Sequence, residues 1–199
     1  TSTDQPAIEH FLKGRDIFHL AWFEEAPSHL HKAIQLDSTL AVAYIYLAMT
    51  EYFQYQDPFP YVEKAKFHGK NASPGERWLI NGWEKFINTS YLETVNFMDS
   101  LLSEYPDDNY AKHILGFSYR DAGKSEKAVE VLSEITDGTE PFGPAYNHLA
   151  YSYHDLGETE KALATVDQFI DWAPENPSAY DTKGHMFYDM GEYEKAIPY

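Results

Sequence analysis

Nine histidines and no cysteine bound the chemistry open to this chain of 199 residues. Without thiols there is no disulfide, no thiolate metal site and no cysteine nucleophile, so imidazole and carboxylate are the groups to weigh. His29 and His31 are two apart, a spacing that sends them to different sides of a helix. His113, His148, His154 and His185 fall on separate predicted helices, and axes about 8–10 Å apart rarely let three imidazoles close on one zinc ion. Asp181 and His185, one helical turn apart, read as a local contact rather than a catalytic dyad. There is no nucleophile elbow, phosphate-binding loop or HExxH helix. The sequence therefore predicts no catalytic residue, no metal site, no cofactor and no enzyme.

What remains is binding, and charge narrows the partners. The 32 acidic side chains outnumber 15 basic ones, a formal charge of -17. That field repels phosphate backbones and anionic lipid, which argues against nucleic-acid and membrane-surface binding. It would steer basic partners inward, although simple solubility is the favoured reading of such a charge. The longest apolar run, Leu40 to Met49, is about half the length that spans a bilayer, so no direct membrane insertion is expected. The chain begins with Thr1 rather than Met, and its polar start, Thr1 to Gln5, suits a lipoprotein-type tether behind a removed leader or a cut end equally well. A soluble protein of the cytoplasm or periplasm is the expectation, without a choice between them.

The elements that must position any binding residues follow a fixed period. Six units of 34 residues start at Ala7, Ala41, Gly75, Asn109, Gly143 and Pro177 with no insertion, the last stopping at Tyr199. Position 8 reads Gly14, Ala48, Gly82, Gly116, Ala150, Gly184, small in every unit. Position 20 reads Ala26, Pro60, Thr94, Ala128, Ala162, Ala196. Two helices can approach closely only where side chains are minimal, so each unit is predicted to be a helical hairpin, and the chain to be all-α with no strand. Ser73-Pro74-Gly75-Glu76 predicts a capping box opening a helix that runs towards Asn88. Gly143-Pro144 and Asn176-Pro177 repeat the cap-then-proline device, and Asp57-Pro58 predicts a short second helix in the second unit. Pro27 is expected to delay a first turn. Gly123, Gly157 and Gly191 are expected to end helices in the left-handed conformation. The helix from Leu40 to Phe53 is apolar on nearly every side and should be buried all round.

The pattern W-x2-L-G-x2-Y, then A-x3-F, then P resembles the tetratricopeptide repeat. Trp78, Gly82 and Pro106 match it in the third unit, Leu115, Gly116, Tyr119 and Ala128 in the fourth, and Leu149, Ala150, Tyr153, Ala162 and Pro174 in the fifth. Glu51 and Lys85 replace the tyrosine of their units, and Pro60 and Lys64 depart from the pattern in the second. The resemblance implies a right-handed α-solenoid of tandem hairpins: a tail over residues 1–6, then one array over 7–40, 41–74, 75–108, 109–142, 143–176 and a truncated 177–199.

The resemblance also implies a concave groove lined by positions 2, 5, 9 and 12 of each first helix. Here that names Phe11, Arg15, Met49, Tyr52, Trp83 and Phe86, an apolar stretch, and then His113, Phe117, Arg120, Asn147, Tyr151, His154, Asp181, His185 and Tyr188, a polar one. Aromatic anchors beside Arg dominate binding energy at interfaces, so the expected function is a scaffold holding a protein or peptide, basic or amphipathic, in this groove. The competing expectation is that the aromatics pack among their own helices. The carboxylate clamp of co-chaperones needs Lys at position 5 and Asn at position 9, and no unit has either. Two further readings stand beside the scaffold. One is self-association as a homodimer through the uncapped C-terminal end. The other is an accessory domain of a larger bacterial signalling or envelope protein or enzyme, the sixth unit being a fragment of a longer array.

Overall fold

A capping box starts one helix where the sequence places it. In the computed structural model, which describes residues 4–136 and 142–199, Ser73 Oγ accepts the Glu76 backbone N–H at 3.3 Å while the Glu76 carboxylate accepts the Ser73 N–H at 2.8 Å. The helix so opened, α5 (Pro74–Ile87), stops at Asn88. The other helices are α1 (Gln5–His19), α2 (Ala26–Leu36), α3 (Ala41–Phe53), α4 (Phe59–His68), α6 (Tyr91–Glu104), α7 (Asn109–Asp121), α8 (Ser125–Thr136), α9 (Gly143–Asp155), α10 (Thr159–Trp172), α11 (Pro177–Asp189) and α12 (Tyr193–Ala196). A 3-10 turn, Gly69–Asn71, follows α4, and there is no strand among the described residues. Helices pair as consecutive hairpins, α1 with α2, α3 with α4, α5 with α6, α9 with α10 and α11 with α12. Residues up to Ala111 form one compact unit and those from Lys112 a second.

Several ends differ from expectation for local reasons. Asp4 accepts the Ala7 N–H at 2.9 Å, so α1 begins at Gln5, and residues 5 and 6 are helical rather than tail. Residues 1–3 lie outside the described part. Pro27 sits at the second position of α2 and delays nothing, because first-turn N–H groups have no intrahelical acceptor to lose. Gly143 and Pro144 are the first residues of α9, with Phe142 before them, so Gly143 is not its cap. Asn176 does cap α11, accepting from Ser178 N–H at 3.0 Å. Asp57 accepts the Phe59 N–H at 3.0 Å and opens the ten-residue α4.

The column of small residues is the contact between paired helices. A Cβ added to Gly116 would stand 2.5 Å from Leu132 Cγ, one on Gly14 2.8 Å from Leu30 Cγ, and one on Gly82 2.2 Å from Met98 Cε. Ala48 and Ala150 of the same column are fully buried, as are Ala26, Thr94 and Ala128 at position 20. From Ala41 to Thr50 every residue of α3 is buried, as its unbroken apolar surface predicts.

A second column appears at the turn after each first helix. Gly123, Gly157 and Gly191 have φ of 71°, 75° and 75°. Ala21, Tyr55 and Thr89 occupy the same place in the first three repeats with φ of 63°, 58° and 58°. The turn geometry is thus kept where glycine is absent, at about 1–2 kcal/mol for each non-glycine residue, with β-branched Thr89 the worst placed.

Two stability measurements follow. Gly116→Leu is expected to destabilise by about 1–3 kcal/mol or more through overpacking against Leu132, and Gly82→Ala by less, since the Met98 methyl can swing aside. An unchanged urea midpoint for Gly116→Leu would contradict the close contact. Thr89→Gly should raise the melting midpoint and Gly157→Ala should lower it, each by about 1 kcal/mol; the reverse order would show that the turn column is not left-handed.

Candidate functional site

In the first compact unit the expected apolar groove is closed. Met49, Trp83 and Phe86 are completely buried, which corrects their reading as exposed anchors. Tyr52 is half-buried against Trp83 and Phe86, with ring centres 6.0 and 5.5 Å away. Phe11 lies edge-on to Tyr46 at 5.5 Å, and Arg15 pairs with its neighbour Asp16 at 2.7 Å. The residue that closes the space is Tyr110, the second position of the fourth repeat. Its ring stacks on His19 (5.6 Å, 11°) and on Trp83 (6.3 Å, 15°), and its hydroxyl donates to the Met49 sulfur at 2.8 Å. Phe18, Tyr46 and Phe53 complete the cluster.

The physical reason is area. A tryptophan or phenylalanine removes about 150–250 Å² from water, and at about 25 cal/mol per Å² leaving two such rings open would forfeit several kcal/mol. His19 is carried inside with them. Its Nε2 meets the Tyr46 hydroxyl at 3.1 Å. Burial first, and then Arg15, lower its pKa to about 3, against a smaller opposing effect of Asp16. The signal that could have found the cluster is the second groove position itself, which puts Tyr110 on the same predicted face as Trp83.

In the second compact unit the named residues divide. His113 and Phe117 are buried and belong to the core, His113 beside Phe142 (5.1 Å) and His148 (5.0 Å), and Phe117 stacked on His148 at 3.9 Å. Burial, followed by Arg120, lowers the His148 pKa to about 3.

The rest come together on α7, α9 and α11. Arg120 Nε donates to Asp155 at 2.8 Å, its Nη1 lies 3.5 Å from Asp121, and its guanidinium sits 5.1 Å from the centre of the Tyr151 ring. The Tyr151 hydroxyl and His185 Nδ1 are 3.3 Å apart, and Asp181 lies 3.8 Å from the same nitrogen. His154 Nε2 is 3.9 Å from Asp189. Asn147 donates to Ser178 Oγ at 2.7 Å and accepts from Thr182 at 3.0 Å, which ties α9 to α11. Tyr188 stays largely exposed, edge-on to Tyr193 at 5.3 Å. Burial, with Asp181 next, raises the Tyr151 phenol, so it stays protonated and able to donate.

The arrangement offers hydrogen-bonding and cation–π contacts. Among the described residues no three His, Asp or Glu side chains converge as metal ligands. No helix among them is long and apolar enough to cross a membrane.

Residues 143–176 match the family model described as tetratricopeptide repeat, the same bounds as the fifth unit of the sequence frame. Solved structures share the fold. PilW, a widely conserved type IV pilus biogenesis factor, aligns with a TM-score of 0.60 at 14% identity over 98% of this chain and 91% of its own. A tetratricopeptide repeat protein from Parabacteroides merdae gives 0.59 at 16% identity over 98% and 77%. YrrB, a tetratricopeptide protein with an unusual peptide-binding site, gives 0.50 at 20% identity over 87% and 89%. No curated protein matches the sequence. Residues 143–176 match one tetratricopeptide repeat, and the chain shares with these structures an all-α fold built of helical hairpins.

Two histidines that folding withdraws from water, His19 and His148, make stability depend on pH. Each has a folded pKa near 3 against 6.5 when exposed, so below pH 6.5 the unfolded chain binds more protons and stability falls. The slope is about 1.4 kcal/mol per pH unit for each histidine between those limits. His148→Gln is therefore expected to flatten the fall in urea midpoint between pH 7 and 5 relative to the parent. A parallel pair of curves would show that His148 titrates alike in both states.

Proposed function

We propose that this protein is a non-enzymatic scaffold that holds a peptide or helix of a partner protein on the α7–α9–α11 face of its second compact unit. The observation that carries the reading is Tyr151, a half-buried aromatic with Arg120 on its ring and His185 at its hydroxyl, flanked by Asn147, His154 and Tyr188. Tyrosine and arginine are among the residues most enriched where interface energy concentrates. Surface ion pairs such as Arg120–Asp155 are worth only about 0–1 kcal/mol, so they can exchange for partner contacts at little cost. Asp121 and Asp155 beside Arg120, with Asp181 beside His185 and Asp189 beside His154, favour a basic or amphipathic partner. Protein interaction is the general role of the tetratricopeptide fold, and the peptide-binding site named for YrrB supports the same reading at the level of fold.

A second reading, self-association, is favoured by one observation. Tyr193, Ile197 and Tyr199 expose apolar surface beside α11, Ile197 being 82% accessible. Light scattering across a concentration series distinguishes it, a constant monomer mass ruling it out.

Selection from a random displayed peptide library on the native protein, followed by titration of the enriched peptide, tests the scaffold. Tyr151→Ala or Arg120→Ala should weaken that peptide by about 2 kcal/mol with little change in melting. Trp83→Ala should instead cost about 3–5 kcal/mol of stability. Loss of fold in Tyr151→Ala without a separable binding defect would make Tyr151 core and overturn the proposal.

A further inference from the structure

Between α4, the 3-10 turn and α5, the first compact unit opens a cleft of about 440 Å³. Ile80, almost fully buried, forms part of its lining together with Gly69. A Cβ at position 69 would stand 2.7 Å from Ile80 Cδ1, so the space there depends on glycine. Phe67 lines it too, 66% exposed, with His68 at 5.0 Å and the Lys70 ammonium 5.3 Å from its ring centre.

The charge of the cleft inverts that of the chain. The cleft lining carries Lys66, Lys70 and Arg77 against Glu63, in a protein of formal charge -17. Lys66 is held by Glu84 at 2.5 Å, with Glu63 also nearby, so it adds little net charge. Lys70 and Arg77 form no ion pair among the described residues. Arg77 donates Nη1 to the Ala72 carbonyl at 2.6 Å, which orients the guanidinium and leaves the other N–H groups of its fork for a ligand.

We propose that this cleft binds a small organic carboxylate with an apolar body, the body against Phe67 and Ile80 and the carboxylate on Arg77 and Lys70. A guanidinium fork and an ammonium lining one cleft suit a single carboxylate, and an apolar wall in the same cleft rewards a ring or short chain. The volume is near the lower end of ligand clefts, about 300–1,000 Å³. All the lining residues fall between Glu63 and Asn81, a short span that favours a small molecule over a polypeptide. The site is independent of the α7–α9–α11 face.

The test is an amide-resolved NMR titration of the whole chain with 3-phenylpropionate, and with 3-phenylpropionamide as its neutral counterpart. Saturable shifts confined to α4, the 3-10 turn and α5 are expected for the acid. Binding should be about tenfold weaker for the amide, the factor that 1.4 kcal/mol represents. Lys70→Gln, which removes no internal hydrogen bond, should weaken the acid several-fold with an unchanged melting midpoint, and Arg77→Gln should weaken it further. Equal affinity for acid and amide, shifts scattered over the surface, or binding seen only with peptides that end in phenylalanine and require their upstream residues would each overturn the proposal.

Discussion

The close approach of paired helices at the eighth position of each repeat governs the rest of this structure. Gly14 and Gly116 have no room for a methyl group against the facing leucine, and at Gly82 a methyl would have to displace the end of Met98. Each stands inside a helix, where glycine costs about 0.5–1 kcal/mol relative to alanine. Overpacking a core costs about 1–3 kcal/mol, so steric crowding outweighs helix propensity and glycine is the better residue. Ala48 and Ala150 mark repeats where the helices leave room for one methyl and the helix-propensity cost is avoided. Hairpin spacing then fixes which side chains of each first helix face inward and which remain on the surface.

The turn column shows the same rule at work with the opposite outcome. Ala21, Tyr55 and Thr89 hold left-handed backbone without glycine, a strain of about 1–2 kcal/mol each. All three lie in the first compact unit, which also carries the aromatic cluster of Phe18, Tyr46, Phe53, Trp83 and Tyr110. Truncating one large buried aromatic costs about 3–5 kcal/mol, more than any one of these turns. Among the described residues of the second compact unit, positive φ occurs only at Gly123, Gly157 and Gly191, where it costs little.

What could be read from the sequence divides along the same line. The repeat frame, the Ser73–Glu76 box, the Asn176 cap and the three left-handed glycines are local: each depends on residues within a turn or two, and each is where the pattern puts it. Positive φ at Ala21, Tyr55 and Thr89 was legible only through the frame, since nothing in those residues asks for it. The burial of Trp83 and Met49 was not legible locally. It requires Tyr110, separated from Trp83 by a whole helix and from Met49 by 61 residues, to bring a ring and a satisfied hydroxyl into the space. A groove position in the repeat pattern says which way a side chain points, not whether another side chain reaches it first. His113 and Phe117 went the same way, met by His148 and Phe142.

The polar stretch escapes that fate because its side chains cannot be buried cheaply. Closing a core over Arg120, Asp155 and Asp189 would strip several charges of water, and breaking one buried pair costs about 3–5 kcal/mol. Kept at the surface, the same pairs cost little and hold Tyr151 between Arg120 and His185 in one orientation. On the proposed binding face this matters more than the strength of any single pair. An aromatic already fixed by its neighbours loses little conformational freedom when a partner arrives, so more of the contact energy is retained as affinity. On that proposal, the charge that keeps this face open would also select what binds there.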